Sequence, residues 1–167
     1  QACDRALAQA RAMRHPKTLA MALLFASMLP RWLNDHLRVR TASIEAMEVT
    51  RQQGMAHWAA TSEALHGWAT VMQEGSHDLS TLATLASTLS DASPSYSALR
   101  WAGLAEVHMR LGRHEQALGL LARMQASEAE TGCLQFAAER HRLTGLCLLA
   151  SSAPDITAAR ASFEQAL

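Results

Sequence analysis

Leu104-Ala105-Glu106-Val107-His108-Met109-Arg110-Leu111-Gly112-Arg113-His114-Glu115-Gln116-Ala117-Leu118 is the stretch on which the fold turns. Leu104, Val107 and Leu111 recur at helical spacing and share one face. Gly112 breaks that pattern, and a second helix starts within a few residues, presenting Ala117, Leu121 and Met124. Helices joined by so short a link fold back on each other as an antiparallel hairpin. Ala105 in the first helix and Ala117 in the second are small enough for the two backbones to approach closely.

Working outward, the same alternation of helix and short turn covers the chain, and no segment reads as a strand. Cys3 to Arg14 is a leading helix that ends at His15-Pro16, because proline disfavours the helical region for the residue before it. Thr18 to Leu29 follows, with Leu19, Leu23 and Ala26 on one face. Asn34 or Asp35 caps a helix carrying Ala42, Ala46 and Val49, which stops at Gly54. Met55 to Glu74 presents Leu65, Trp68, Ala69 and Met72, and Gly75-Ser76 closes it and opens a helix with Leu79, Leu82, Leu85 and Leu89. Ser93-Pro94 starts Tyr96 to Leu111, and Glu115 to Ala129 ends at Gly132. Leu134 to Ala150 carries Phe136, Leu143 and Cys147, and Asp155 caps a last helix with Ile156, Ala159, Phe163 and Ala166. The tally is one leading helix and four pairs.

The pairs repeat. Gly54 to Gly67 and Gly132 to Gly145 have equal separations, with Trp58 matching Phe136 and Leu65 matching Leu143. A lone helix pair cannot cover its apolar face, so similar pairs stack and shield one another. The stretch from Leu104 to Leu118 resembles the tetratricopeptide pattern, with Ala105 at the crossing within a pair, Gly112 before the turn and Ala117 in the second helix. Ala159, Phe163 and Ala166 resemble the end of that pattern, whereas the region around Ala26 and Ala42 fits it poorly. The expected fold is all-α, a right-handed α-solenoid of about nine helices forming a single domain over residues 1–167.

A wider resemblance is carried by His15-Pro16 with Leu19-Ala20, by Gln53-Gly54-Met55-Ala56-His57-Trp58, and by His66-Gly67-Trp68-Ala69. It continues through Leu104-Ala105-Glu106 and through Thr131-Gly132 followed by Ala138-Glu139-Arg140-His141-Arg142-Leu143-Thr144-Gly145. These stretches look like the C-terminal repeat region of large bacterial signalling ATPases. In that family the repeats follow a nucleotide-binding module, with a nucleotide cyclase, winged-helix or LuxR-type domain elsewhere in the chain. The resemblance departs at Asp78-Leu79-Ser80, where the family has a glutamate-glycine pair. It implies a regulatory scaffold without an active site.

Composition agrees with helices packed on small side chains: 49% of residues are hydrophobic but only 5% aromatic. Lys plus Arg balance Asp plus Glu at 15 each, so no net field draws the chain to nucleic acid or to an anionic membrane. The longest apolar run, Leu19 to Leu29, falls well short of the roughly 20 residues of a membrane helix. Three cysteines, Cys3, Cys133 and Cys147, form an odd set without CxxC spacing or a secretory leader, which points to a reducing, cytoplasmic setting. The start at Gln1 and the end at Leu167 inside a helical pattern read as a piece of a longer protein.

Chemistry-bearing motifs are absent from the sequence. Eight histidines occur, but no HExxH and no Cys-His set with zinc spacing, so neither a metal nor a cofactor is expected. Cys133 and Cys147 fall about four turns apart on one expected helix, too far to bridge, and Cys147 reads as core. His15 and His114 read as turn residues. Neither a GxSxG elbow nor a GxxxxGK loop is present, so the chain is not expected to be an enzyme. Glu106 with Arg110 and Glu139 with Arg142 place opposite charges one turn apart, which on a helix surface contributes a few tenths of a kcal/mol.

In a right-handed stack the first helix of each pair lines the inner face. The expected partner-facing residues are therefore Leu99, Ala102, Glu106, Met109 and Arg110, flanked by Ala64, Trp68 and Met72 on one side and by Glu139, Arg142 and Leu146 on the other. Trp68 fits the core equally well. Such a surface suits a protein or peptide segment, intramolecular or from a partner, with apolar anchors and polar ends. The alternatives are an effector-sensing domain with a small molecule held between helices, and a spacer or dimerisation element.

Overall fold

The computed structural model describes residues 2–75 and 94–167, and the regular elements among them are all helices. α1 spans Ala2–Ala12, α2 Pro16–Trp32, α3 His36–Gln52 and α4 Ala56–Glu74. α5 spans Pro94–Arg110, α6 His114–Thr131, α7 Ala137–Ala150 and α8 Ile156–Gln165. The expected helix with Leu79, Leu82, Leu85 and Leu89 lies outside the described residues, as does Asp78-Leu79-Ser80, so eight helices are described rather than nine. The chain divides into two compact units, the first holding α1–α4 and the second α5–α8. No described helix is long and apolar enough to cross a membrane.

Left-handed residues mark the turns at a regular interval. Gly54, Gly112 and Gly132 have φ of 66°, 71° and 69°, and the same role falls to Arg14 and Asn34 at 49° and 54°. Positions 14, 34 and 54 are twenty residues apart, as are 112 and 132, so the helix-and-turn units ending at Asn34, Gly54 and Gly132 use equal lengths of chain, and the one ending at Gly75 is one residue longer. Glycine is the natural occupant because it has no Cβ to clash. Asn34 tolerates the conformation through its short polar side chain, and Arg14 has no such help.

Helix starts follow side-chain acceptors. Asp35 Oδ1 accepts from the Arg38 amide at 3.2 Å, and Asp155 Oδ1 from the Ala158 amide at 2.9 Å. His15 does the same for α2, its Nδ1 accepting from the Thr18 amide at 3.3 Å, with Pro16 at the first helical position, where no amide donor is missed. Two expected boundaries are corrected. α2 runs past Pro30 to Trp32, because a proline this near the end forfeits only one donor. α7 begins at Ala137, not Leu134, so Cys133 stands in the preceding turn, its amide donating to Thr131 Oγ1 at 3.3 Å, and does not share a helix with Cys147.

In the first unit α2 packs on α3 and also reaches α4, around Leu23, Val39, Leu65 and Trp68. Antiparallel α3 and α4 are stapled by Arg40–Glu74 at 3.0 Å and Arg51–Glu63 at 2.7 Å. Ser27, Thr50 and Ser62 are buried here, and each hydroxyl donates to the carbonyl one turn back, so these small side chains pack without leaving their own hydroxyls orphaned.

In the second unit α5 and α6 form one hairpin and α7 and α8 the next, with α7 touching both α6 and α5. Ala105 and Ala117, the expected crossing residues, are fully buried. Gly145 serves the other hairpin: a Cβ there would lie 2.6 Å from the Phe163 ring, so any side chain at this position would push that ring aside where α8 closes on α7. The self-similar stretches also match in burial, since Leu65 and Gly67 in α4 and Leu143 and Gly145 in α7 are all buried.

Candidate functional site

The second unit brings three charged side chains together on neighbouring helices. Arg142 on α7 donates from Nε and Nη2 to both oxygens of Glu139, each at 2.7 Å, a two-pronged pair one turn long. The same Nη2 lies 3.5 Å from Glu106 Oε1 on α5. Thus Glu106 meets Arg142 across the helix interface, while Arg110, the partner expected one turn along, is exposed. Glu139, with burial opposing and Glu106 assisting, holds the Arg142 guanidinium above its ordinary pKa. The two carboxylates are largely covered, whereas the arginine side chain remains 44% exposed and can still receive a ligand. Counted together, the trio carries one net negative charge.

An apolar strip continues from this cluster. Glu139, Arg142, Leu146 and Leu149 recur every three or four residues along α7, and both leucines are exposed. Met109, half-buried, follows Glu106 on α5. Sequence reasoning missed Leu149, although its spacing from Leu146 would have identified it.

The remaining expected site residues are placed differently. Leu99 and Ala102 are buried on α5, and Ala64 is buried on α4. Trp68, in the first unit, is only 1% exposed, so it is a core residue and not a surface anchor; Met72 one turn later is half-buried. The Trp68 ring is held by the Arg31 guanidinium, 5.3 Å from its centroid, and by His36, edge-on at 5.3 Å. Removing the largest apolar side chain from water outweighs exposing it to a partner.

α6 and α7 also share an ion pair that no sequence pattern suggested. Arg140 Nε donates to Glu128 Oε2 at 2.8 Å, with both side chains under 10% exposed. Arg140 Nη2 lies 3.0 Å from His141 Nε2, and since a guanidinium only donates, that imidazole accepts and is neutral. Cys147 is buried, its Sγ donating to the His114 carbonyl at 3.3 Å, and burial pushes its thiol up, so it is no nucleophile at neutral pH. Among the described residues no group of three or more His, Cys, Asp or Glu side chains could hold a metal ion.

Three histidines share a pH signature. Burial lowers the pKa of His66, His108 and His141, with the nearby Arg40, Arg113 and Arg140, respectively, adding to the shift. All three favour the neutral form in the fold, so on acidification through about pH 6.5 the unfolded chain takes up protons first and stability is lost. The melting temperature is expected to be lower near pH 5.5 than near pH 7.5, with a shallower slope in His108→Gln. A melting temperature independent of pH across this window contradicts it.

Comparison of the chain with protein-family models, with curated proteins and with solved structures finds no match in any of the three.

Proposed function

We propose that the chain is a tetratricopeptide-like right-handed solenoid, a non-catalytic cytoplasmic scaffold of a bacterial signalling or transcription-regulating ATPase. It receives a protein segment, intramolecular or from a partner, on the face shared by α5 and α7. The family resemblance supports the setting, and the buried small residues at the helix crossings support the stack. The observation that carries the binding face is the Glu106–Arg142–Glu139 cluster spanning two first helices, with exposed Leu146 and Leu149 beside it. A half-exposed guanidinium fixed by two carboxylates orients polar groups of a segment, and the leucines take its apolar anchors. Binding then shifts an attached domain only through unequal affinity for its two states.

Exchanging the charges tests this without removing the internal pair. Glu106→Arg and Glu139→Arg with Arg142→Glu, together with Arg110→Glu, keep opposite charges facing both across α5 and α7 and along α7. The variant is expected to retain its helical circular dichroism and to lose the segment that cross-links to α5 and α7 in the native chain. Undiminished capture of the same segment refutes the face.

A cavity of about 340 Å³ among α1, α2 and α3 favours a second function, sensing of a small molecule. Leu7, Leu23, Pro30 and Leu37 line it, and the two-pronged Arg11–Glu45 pair stands at its rim. Ligand-dependent rises in melting temperature in a metabolite screen distinguish this function from the first.

A further inference from the structure

The first unit carries an apolar groove that belongs to neither proposed site. It runs between α1 and α2, encloses about 550 Å³, and is lined chiefly by Ala6, Gln9, Met13, Met21, Phe25 and Leu29. Met21, Phe25 and Leu29 recur every fourth residue along α2, and all three are exposed, Phe25 by 52%. Trp32, also exposed, continues the row. Contiguous apolar surface of this kind marks an interaction site, since water gains nothing from leaving it open.

The molecule itself shows what fills such a groove. In the second unit α5 packs against both α6 and α7, antiparallel helices joined by a short turn. In the first unit α2 packs in the same way against α3 and α4. α1 and α2 are likewise consecutive helices joined by a short turn, yet no described helix packs its backbone against both. The groove is continuous with the α2 surface already used for α3 and α4, and its missing occupant is one more helix.

Charge selects the kind of helix. Arg5, Arg14 and Lys17, the sequence neighbours of the groove residues Ala6, Met13 and Thr18, are exposed, and none of the three forms an ion pair among the described residues. Asp4 and Glu45 line the separate cavity that α3 helps to form, with Glu45 already held by Arg11. The groove therefore has a basic rim, and two copies of this face would bring like charges together. We propose that the α1–α2 groove is a docking site for an acidic amphipathic helix of a partner protein. Apolar side chains at i, i+3 or i+4, and i+7 enter between Met13, Met21, Phe25 and Leu29, and flanking carboxylates face Arg5, Arg14 and Lys17. The stretch from Thr18 to Leu29 calls for a helix of about three turns.

A labelled synthetic helix of about 14 residues, with leucines on one face and glutamates on both flanks, probes the full chain by fluorescence anisotropy. Saturable binding is expected, weakened by salt, and at least about tenfold weaker for the same peptide with lysines in place of glutamates. Met21→Glu with Phe25→Glu, both at exposed positions, is expected to abolish binding with circular dichroism unchanged. Arg14→Glu with Lys17→Glu leaves the apolar floor intact and is expected to reverse the preference between the two peptides. Equal binding of both peptides, or binding that survives Met21→Glu with Phe25→Glu, overturns the proposal. So does light scattering that shows a dimer dissolved by those substitutions, because the groove is then covered by a second copy.

Discussion

Trp68→Ala is expected to destabilise the protein by about 3–5 kcal/mol, read as a lower midpoint in urea unfolding followed by circular dichroism. The indole is almost wholly buried, and its removal leaves a cavity that α4, packed against α2 and α3, is poorly placed to close. The loss also strips the Arg31 guanidinium of the ring it lies over, at a position where arginine is 3% exposed. Trp68→Phe separates the contributions. It keeps an aromatic face for Arg31 and removes an indole N–H that has no acceptor among the described residues, so its expected cost is nearer 1 kcal/mol. A midpoint unmoved by Trp68→Ala contradicts the placement of this residue in the core.

Arg140→Ala is expected to cost a similar amount, about 3–5 kcal/mol, for an electrostatic reason. Glu128 and Arg140 are paired at 2.8 Å with side chains 6% and 9% exposed, and Glu128 Oε1 already lacks a partner among the described residues. Deleting the arginine leaves a carboxylate buried without a counter-charge, which water cannot easily reach to compensate. Replacing both members, Glu128→Leu with Arg140→Met, removes the charge and the need for it together, and recovers most of the loss. A single substitution that costs less than about 1 kcal/mol places the pair among exposed surface bridges and contradicts its burial.

The turns were the most legible part of the fold, because glycine and proline act on the backbone directly. Gly54, Gly75, Gly112 and Gly132 end helices with left-handed φ, and Asp35 and Asp155 cap as their spacing predicts. Arg14 and Asn34 carry no glycine to announce the same geometry. Stepping back twenty residues from Gly54 nevertheless reaches Asn34 and then Arg14, so the period held information that residue type did not.

Part of the candidate site was legible too, and for a definable reason. Helical spacing places Glu106 on α5 and Glu139 and Arg142 on α7 on one surface, and they do meet there, with both carboxylates largely covered and the arginine half-exposed. Trp68 and Leu99 could not be sorted the same way. α4 is buried on much of its circumference, from Ala59 and Thr61 through Leu65, Gly67 and Trp68 to Val71, and a helix packed on several sides has no single apolar stripe. The Glu128–Arg140 pair joins two helices across a turn, and nothing in either helix alone marks those charges as interior. The basic rim of the α1–α2 groove was likewise hidden by a net charge that sums to zero over the chain.

The binding face exists only if α5 and α7, the first helices of successive hairpins, lie side by side. Spin labels at Arg110→Cys and Leu146→Cys, two exposed positions on these helices, report that arrangement directly once Cys3 and Cys133 are changed to serine. Adjacent helices pack with axes about 8–10 Å apart, so a narrow distribution of inter-label distances within roughly 10–20 Å is expected. A broad distribution, or a distance beyond about 30 Å, contradicts the shared face and the binding function built on it.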